Sequence, residues 1–144
     1  MKKINLLLIL LSPFLVFAQI NDDFEDGDII GWTEGTVGHW TASNESPING
    51  SFSLKHNLSD IESTSYISAD ISSSIVENGE SVWQFNLKNG NWDPSSSNYF
   101  GVFLFSDIED LSSNVNGYAV GINMTGTSDL LSVWNVTNGS YNSI

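Results

Sequence analysis

Between Gln19 and Ile144, no run of eleven or more residues keeps a 3.6-residue apolar period without a Gly or a Ser/Asn cluster inside it. Each such interruption disfavours a helix by a substantial fraction of a kcal/mol per residue, up to ~1 for Gly. What recurs instead is alternation. In Val82-Trp83-Gln84-Phe85-Asn86-Leu87-Lys88 the apolar side chains fall on every second residue, the pattern of a half-buried strand. After the polar stretch Asn89-Gly90-Asn91-Trp92-Asp93-Pro94 and a serine run, Tyr99-Phe100-Gly101-Val102-Phe103-Leu104-Phe105 is apolar on both faces, which predicts a central strand covered on both sides. The two runs together predict the middle of an antiparallel β-sandwich.

Further strands are expected along the whole chain. Trp40-Thr41-Ala42 and Ser51 to His56 flank an Asn49-Gly50 turn, and Tyr66 to Ile71 follows. Glu77 to Glu80 reads as a turn leading into Val82. Gly117 to Met124 places Tyr118, Val120, Ile122 and Met124 on one face and the small residues Ala119 and Gly121 on the other. Leu130 to Val136 is the next run, and Asn138-Gly139 signals a hairpin. So few residues follow that turn that no full returning strand is expected; the chain reads as a fragment cut inside its last sheet.

Residues 1–18 have the character of an export signal. Lys2 and Lys3 precede an almost wholly apolar run from Ile4 to Phe17, and Val16-Phe17-Ala18 offers small residues at the −3 and −1 positions. The run is shorter than the ~20 apolar residues of a membrane span and contains Pro13. Cleavage before Gln19 is expected, leaving a β-sandwich module over 19–144 in the periplasm, on the cell surface or outside the cell.

The chain has 17 Asp+Glu against 4 Lys+Arg, and Lys2 and Lys3 fall in the leader, so the mature module is more acidic than the formal −13 of the whole. Such a surface repels phosphate backbones and anionic headgroups, which argues against nucleic acid or a membrane surface as partner. Neutral or cationic polysaccharides, and downstream domains of the same chain, are the partners it leaves open. With no Cys there is neither a disulfide nor a thiolate for zinc or nucleophilic catalysis.

Asp23-Phe24-Glu25-Asp26-Gly27-Asp28 with Gly31-Trp32, then Trp40 and Gly50-Ser51-Phe52-Ser53-Leu54, resembles the opening of concanavalin A-like jelly-roll modules. Gly117-Tyr118-Ala119-Val120-Gly121, Asp129 to Trp134 and Asn138-Gly139 are similar to the paired strands of the same lectin, glucanase and laminin-G-like group. The resemblance implies an all-β jelly roll standing near the N-terminus of a large exported bacterial protein. It further implies a structural calcium near the first strand.

Two sets of residues are candidates for function. Asp22, Asp23, Glu25, Asp26 and Asp28 form the densest group of hard oxygen ligands, the chemistry calcium requires, against the plainer reading of a solvated acidic turn. Trp92 lies in a loop with Asn89, Asn91 and Asp93, which offer hydrogen bonds to sugar hydroxyls beside an indole face; the alternative is that Trp92 caps the core. Trp83 is expected in the core, and Trp32 and Trp134 are ambiguous.

Catalysis finds little support. Asp107 and Glu109 have the spacing of a carboxylate pair but follow a strand in a loop-like context, and the Glu-x-Asp-x-x-Glu strand of the related glucanases is absent. His39 and His56 lie in separate segments without a metal-ligand pattern. The expected function is therefore a non-catalytic, glycan-binding accessory module. A purely structural display module and a fragment of a secreted glycoside hydrolase are the alternatives.

Overall fold

The computed structural model describes residues 20–72 and 80–144. The expected leader and the Glu77 to Gly79 part of the expected turn lie outside the described residues. Among those described, no helix is long and apolar enough to cross a membrane.

The fold is all-β, built from antiparallel pairs. In the N-terminal half, β1 (Thr33–Glu34) pairs with β4 (Ile67–Ser68), and β2 (Trp40–Ser43) pairs with β3 (Ser53–His56). The C-terminal half holds a four-stranded sheet in sequence order: β5 (Phe100–Ser106), β6 (Gly117–Ile122), β7 (Leu131–Thr137) and β8 (Ser140–Ser143). Within this sheet every strand pairs with its neighbour in sequence, whereas the β1–β4 pair encloses the β2–β3 hairpin.

Alternation along these strands gives the sheet one buried face. Register pairs Phe103 with Ala119, Ala119 with Trp134 and Val136 with Tyr141, so these side chains share a side. Val115, Ala119, Trp134 and Val136 are buried there, with Phe103, Leu111, Met124 and Tyr141 packed around them. The small residues of β6 therefore line the core, and bulky neighbours fill the space above them: the Trp134 indole Nε1 reaches over the strand to donate to the Gly121 carbonyl at 3.2 Å.

Met124 does not share a face with Tyr118. Asn123 adopts φ 52°, which ends the regular alternation, and the Met124 thioether folds back over Gly101 and Gly121 on the core side. The fully buried Asn123 makes this reversal affordable by exchanging two hydrogen bonds with Asp129, Nδ2 to Oδ1 at 2.6 Å and backbone N–H to Oδ1 at 2.9 Å.

Three expectations are corrected. Val82 to Lys88 joins no sheet among the described residues, and Trp83, Phe85 and Leu87 are each about 40% exposed rather than buried. The connection to Tyr99 is a long polar loop, not a tight turn able to impose a register. The Lys88 ammonium instead donates to the Ser46 carbonyl, which ties this segment to the β2–β3 connection. Consequently β5 is an edge strand of its sheet, not a central one. Finally, a returning strand does follow Asn138-Gly139: both residues take positive φ, 47° and 71°, the signature of a type I′ turn, and β8 pairs with β7 from Ser140 to Ser143.

Candidate functional site

The face of the four-stranded sheet that points away from the core is aromatic and aliphatic. Its features follow from one irregularity. From Phe100 to Phe103 the β5–β6 register is regular, but the next pair is Phe105 with Tyr118, so Leu104 and Phe105 together oppose a single residue. Without this bulge, Phe105 would stand opposite Gly117 on the core side. With it, Phe105 lies beside Tyr118 on the outer face, ring centroids 5.4 Å apart and tilted by 52°. Both rings remain nearly 40% exposed.

Polar groups border this ring pair. Phe105, Asp107, Asn116, Tyr118, Asn135 and Thr137 line a depression of about 470 Å³ at the end of β5, β6 and β7. The Asp107 carboxylate accepts from the Asn116 backbone N–H and from its Nδ2, both at 2.7 Å, and the Asn116 Oδ1 accepts from the Asn138 N–H at 2.9 Å. These donors hold the Asp107 carboxyl below its ordinary pKa. Asn135 stands across from Tyr118, and its Oδ1 accepts from the Thr137 hydroxyl at 3.3 Å. The arrangement presents ring faces and fixed hydrogen-bonding groups in one open depression, the two elements that sugar recognition combines.

Trp92 stands at the other end of the same strand. Its indole packs edge-on against Phe100, centroids 5.6 Å apart, and lies over Gly90, yet the residue is 43% exposed. It is neither a buried cap nor a free loop side chain. The Asn89 Nδ2 donates to the Trp92 carbonyl at 3.1 Å, so Asn89 shapes the loop, while Asn91 and Asp93 are exposed. Phe100 belongs to the outer face through its pairing with Ile122. The five residue steps from Phe100 to Phe105 span about 16 Å at strand rise, so the two aromatic ends could be bridged by a chain of sugars but not by one ring.

The carboxylates of the acidic stretch bond mainly to backbone N–H groups. Asp22 accepts from the Phe24 N–H and the Trp32 indole, Asp23 from Glu25, Asp26 from Asp28 and Asp28 from Ile30. The Glu25 Oε1 accepts from the N–H groups of Ser51 and Phe52 at 2.7 and 3.0 Å, clasping the start of β3. Asp23, Asp26 and Asp28 are thus turned to local backbone and Glu25 to the distant β3, and among the described residues no three acidic or His side chains gather as metal ligands.

The two histidines come together across the β2–β3 hairpin, although the sequence separates them. The Asn57 N–H bonds the His39 carbonyl, His56 pairs with Trp40, and the His39 Nδ1 lies 2.8 Å from the Ser65 hydroxyl. Burial, and secondarily the charge of His39, lower the His56 pKa.

Sequence reasoning singled out Trp92 and weighed Asp107, but it missed Phe105, Asn116 and Asn135. The alternation of Tyr118 with Val120 was a usable signal for the outer face. Comparison with protein-family models, with curated proteins and with solved structures gave no match.

Proposed function

We propose that this chain is a non-catalytic, exported recognition module that binds polysaccharide along the outer face of its four-stranded sheet. The observation that carries the reading is the β5 bulge, which turns Phe105 out beside Tyr118 and next to the Asp107, Asn116 and Asn135 side chains. Exposed rings stack on the apolar faces of sugars, and a rigid sheet holds them in place with little ordering cost on binding. Trp92 extends the platform at the far end of β5. The jelly-roll architecture and the place of the module within a longer secreted protein belong to the same proposal.

Hydrolysis fits the site less well. A glycosidase needs two carboxyls flanking the bond, and Asp107 is the only carboxylate among the described residues that line the depression.

A second reading has its own observation. Leu131, Val133 and Ile144, on the β7–β8 side of the same face, are 62%, 43% and 75% exposed, which suits packing against another domain in a purely structural module. Binding of a polysaccharide panel to the protein and to Tyr118→Ala and Phe105→Ala separates the two. Glycan binding that weakens at least tenfold in both variants, with melting curves close to wild type, supports recognition. Absence of binding to every glycan leaves the structural reading.

A further inference from the structure

The outer-face depression carries a charge that the described residues do not neutralise. Beyond the leader the only cationic side chains other than His are Lys55 and Lys88. Lys55 is paired with Glu45, and Lys88 is bonded to the Ser46 carbonyl. The Asp107 carboxylate is held instead by neutral donors of Asn116, which fix its position and leave its negative charge in place. Each of its oxygens has a second lone pair free to accept.

Beside that carboxylate stand the Phe105 and Tyr118 rings. The π face of an aromatic ring is negative, so two rings and a carboxylate in one depression attract a cation attached to an apolar frame. A sugar with a hydroxyl or an N-acetyl group would engage the rings but leave the carboxylate without an opposite charge. A uronic acid would be repelled by it.

Resting on the recognition reading above, we infer that the Phe105–Tyr118–Asp107 depression selects amino sugars with a free amine, as in de-N-acetylated hexosamine polymers, over their acetylated, neutral or acidic counterparts. The ammonium sits against Asp107 and the ring faces, and the ring carbons of the sugar stack on Tyr118. Asn135 and Thr137 bond its hydroxyls.

The test varies the ligand before the protein, so that folding is not at issue. Titration calorimetry compares a glucosamine hexamer with its fully N-acetylated form, a cello-oligomer, an oligogalacturonate and oligolysine of equal charge. The expected result is binding of the glucosamine hexamer about tenfold tighter than the acetylated one, with no binding of oligogalacturonate. Asp107→Asn should reduce that preference to about twofold. Equal affinities for the free and acetylated hexamers would overturn the inference and leave glycan recognition standing. Failure of every glycan would overturn both. Oligolysine binding as tightly as the glucosamine hexamer would overturn the sugar assignment, since the site would then be reading charge alone.

Discussion

The carbonyl oxygen of Phe105 occupies the space that a Cβ on Gly117 would fill. Gly117 has an ordinary backbone conformation, so the requirement is for room and not for an unusual φ. The close approach is the geometric consequence of the bulge: the backbone of β5 bends toward β6 where Leu104 and Phe105 crowd against Tyr118. One missing side chain on β6 therefore permits the feature that sends Phe105 to the outer face.

Gly117→Ala should accordingly disturb both stability and the site. Forcing a methyl into a packed ladder costs about 1 to 3 kcal/mol. Urea unfolding should show a lower midpoint with an unchanged slope, and polysaccharide binding should weaken even under conditions where the variant is folded. A midpoint equal to wild type would show that the bulge does not depend on this glycine.

Asn123 should be among the least replaceable polar residues. It is buried at φ 52°, a conformation Asn tolerates far better than Ala, and it satisfies both the Asp129 N–H and one Asp129 carboxylate oxygen. Asn123→Ala combines backbone strain with two lost hydrogen bonds, about 2 to 4 kcal/mol together. Asn123→Gly relieves the strain alone and should recover part of that loss. If the Gly variant is no more stable than the Ala variant, left-handed strain is not a component.

Acidification should weaken the N-terminal half in two windows. The His56 pKa is lowered in the folded state by burial and by His39, so stability present above its ordinary 6.5 declines as pH falls below it, where the unfolded chain binds the proton more readily. The Glu25 pKa is lowered by the Phe52 and Ser51 N–H groups, so its contribution is complete above about 4.5 and is lost as pH falls through the lower folded value. Relief of repulsion among the other carboxylates opposes both effects, so the comparison must be with variants. Glu25→Gln should lower the melting temperature at pH 7 and by less at pH 3. His56→Gln should flatten the slope between pH 6.5 and 5. A Glu25→Gln deficit that is the same at both pH values would mean that the carboxylate charge plays no part in clasping Ser51 and Phe52.

These features differ in how far the sequence discloses them. The apolar runs at Trp40, Ser53, Phe100, Gly117 and Leu131 all became strands, because an apolar or alternating run between turn residues reports that a segment can bury at least one face. Alternation does not say what the face packs on or which strand lies alongside. Val82 to Lys88 has the clearest alternation of all and no ladder, since its loop to Tyr99 imposes no register. In β6 the buried side is the small one, because the volume above Ala119 and Gly121 comes from Trp134 and Met124, which are distant in sequence. The bulge that exposes Phe105 is a one-residue mismatch between two strands, and neither strand shows it alone. The acidic stretch reads as a cation site by composition, and the composition does not show that carboxylates placed two residues before an N–H also close local turns.

The contrast between Trp92 and Trp134 provides the most direct test of which aromatic residues serve function. Trp134 is 6% exposed, packs in the core, and donates its indole N–H to Gly121; Trp92 is 43% exposed and touches Phe100 by its edge. Truncating a buried Trp to Ala costs about 3 to 5 kcal/mol, enough to unfold much of a marginally stable domain. Losing an edge-on aromatic pair at a half-exposed site costs about 1 kcal/mol. Trp134→Ala should therefore abolish the cooperative thermal transition, and Trp92→Ala should shift it by only a few degrees while reducing affinity for long polysaccharide chains more than for short oligomers. That length dependence follows from geometry: Phe100, which Trp92 touches, and Phe105 lie about 16 Å apart along β5, so only a ligand long enough to bridge the two ends feels the loss of one. Equal losses for short and long ligands would place Trp92 outside the binding platform, and an unfolded Trp92→Ala would make it a structural residue after all.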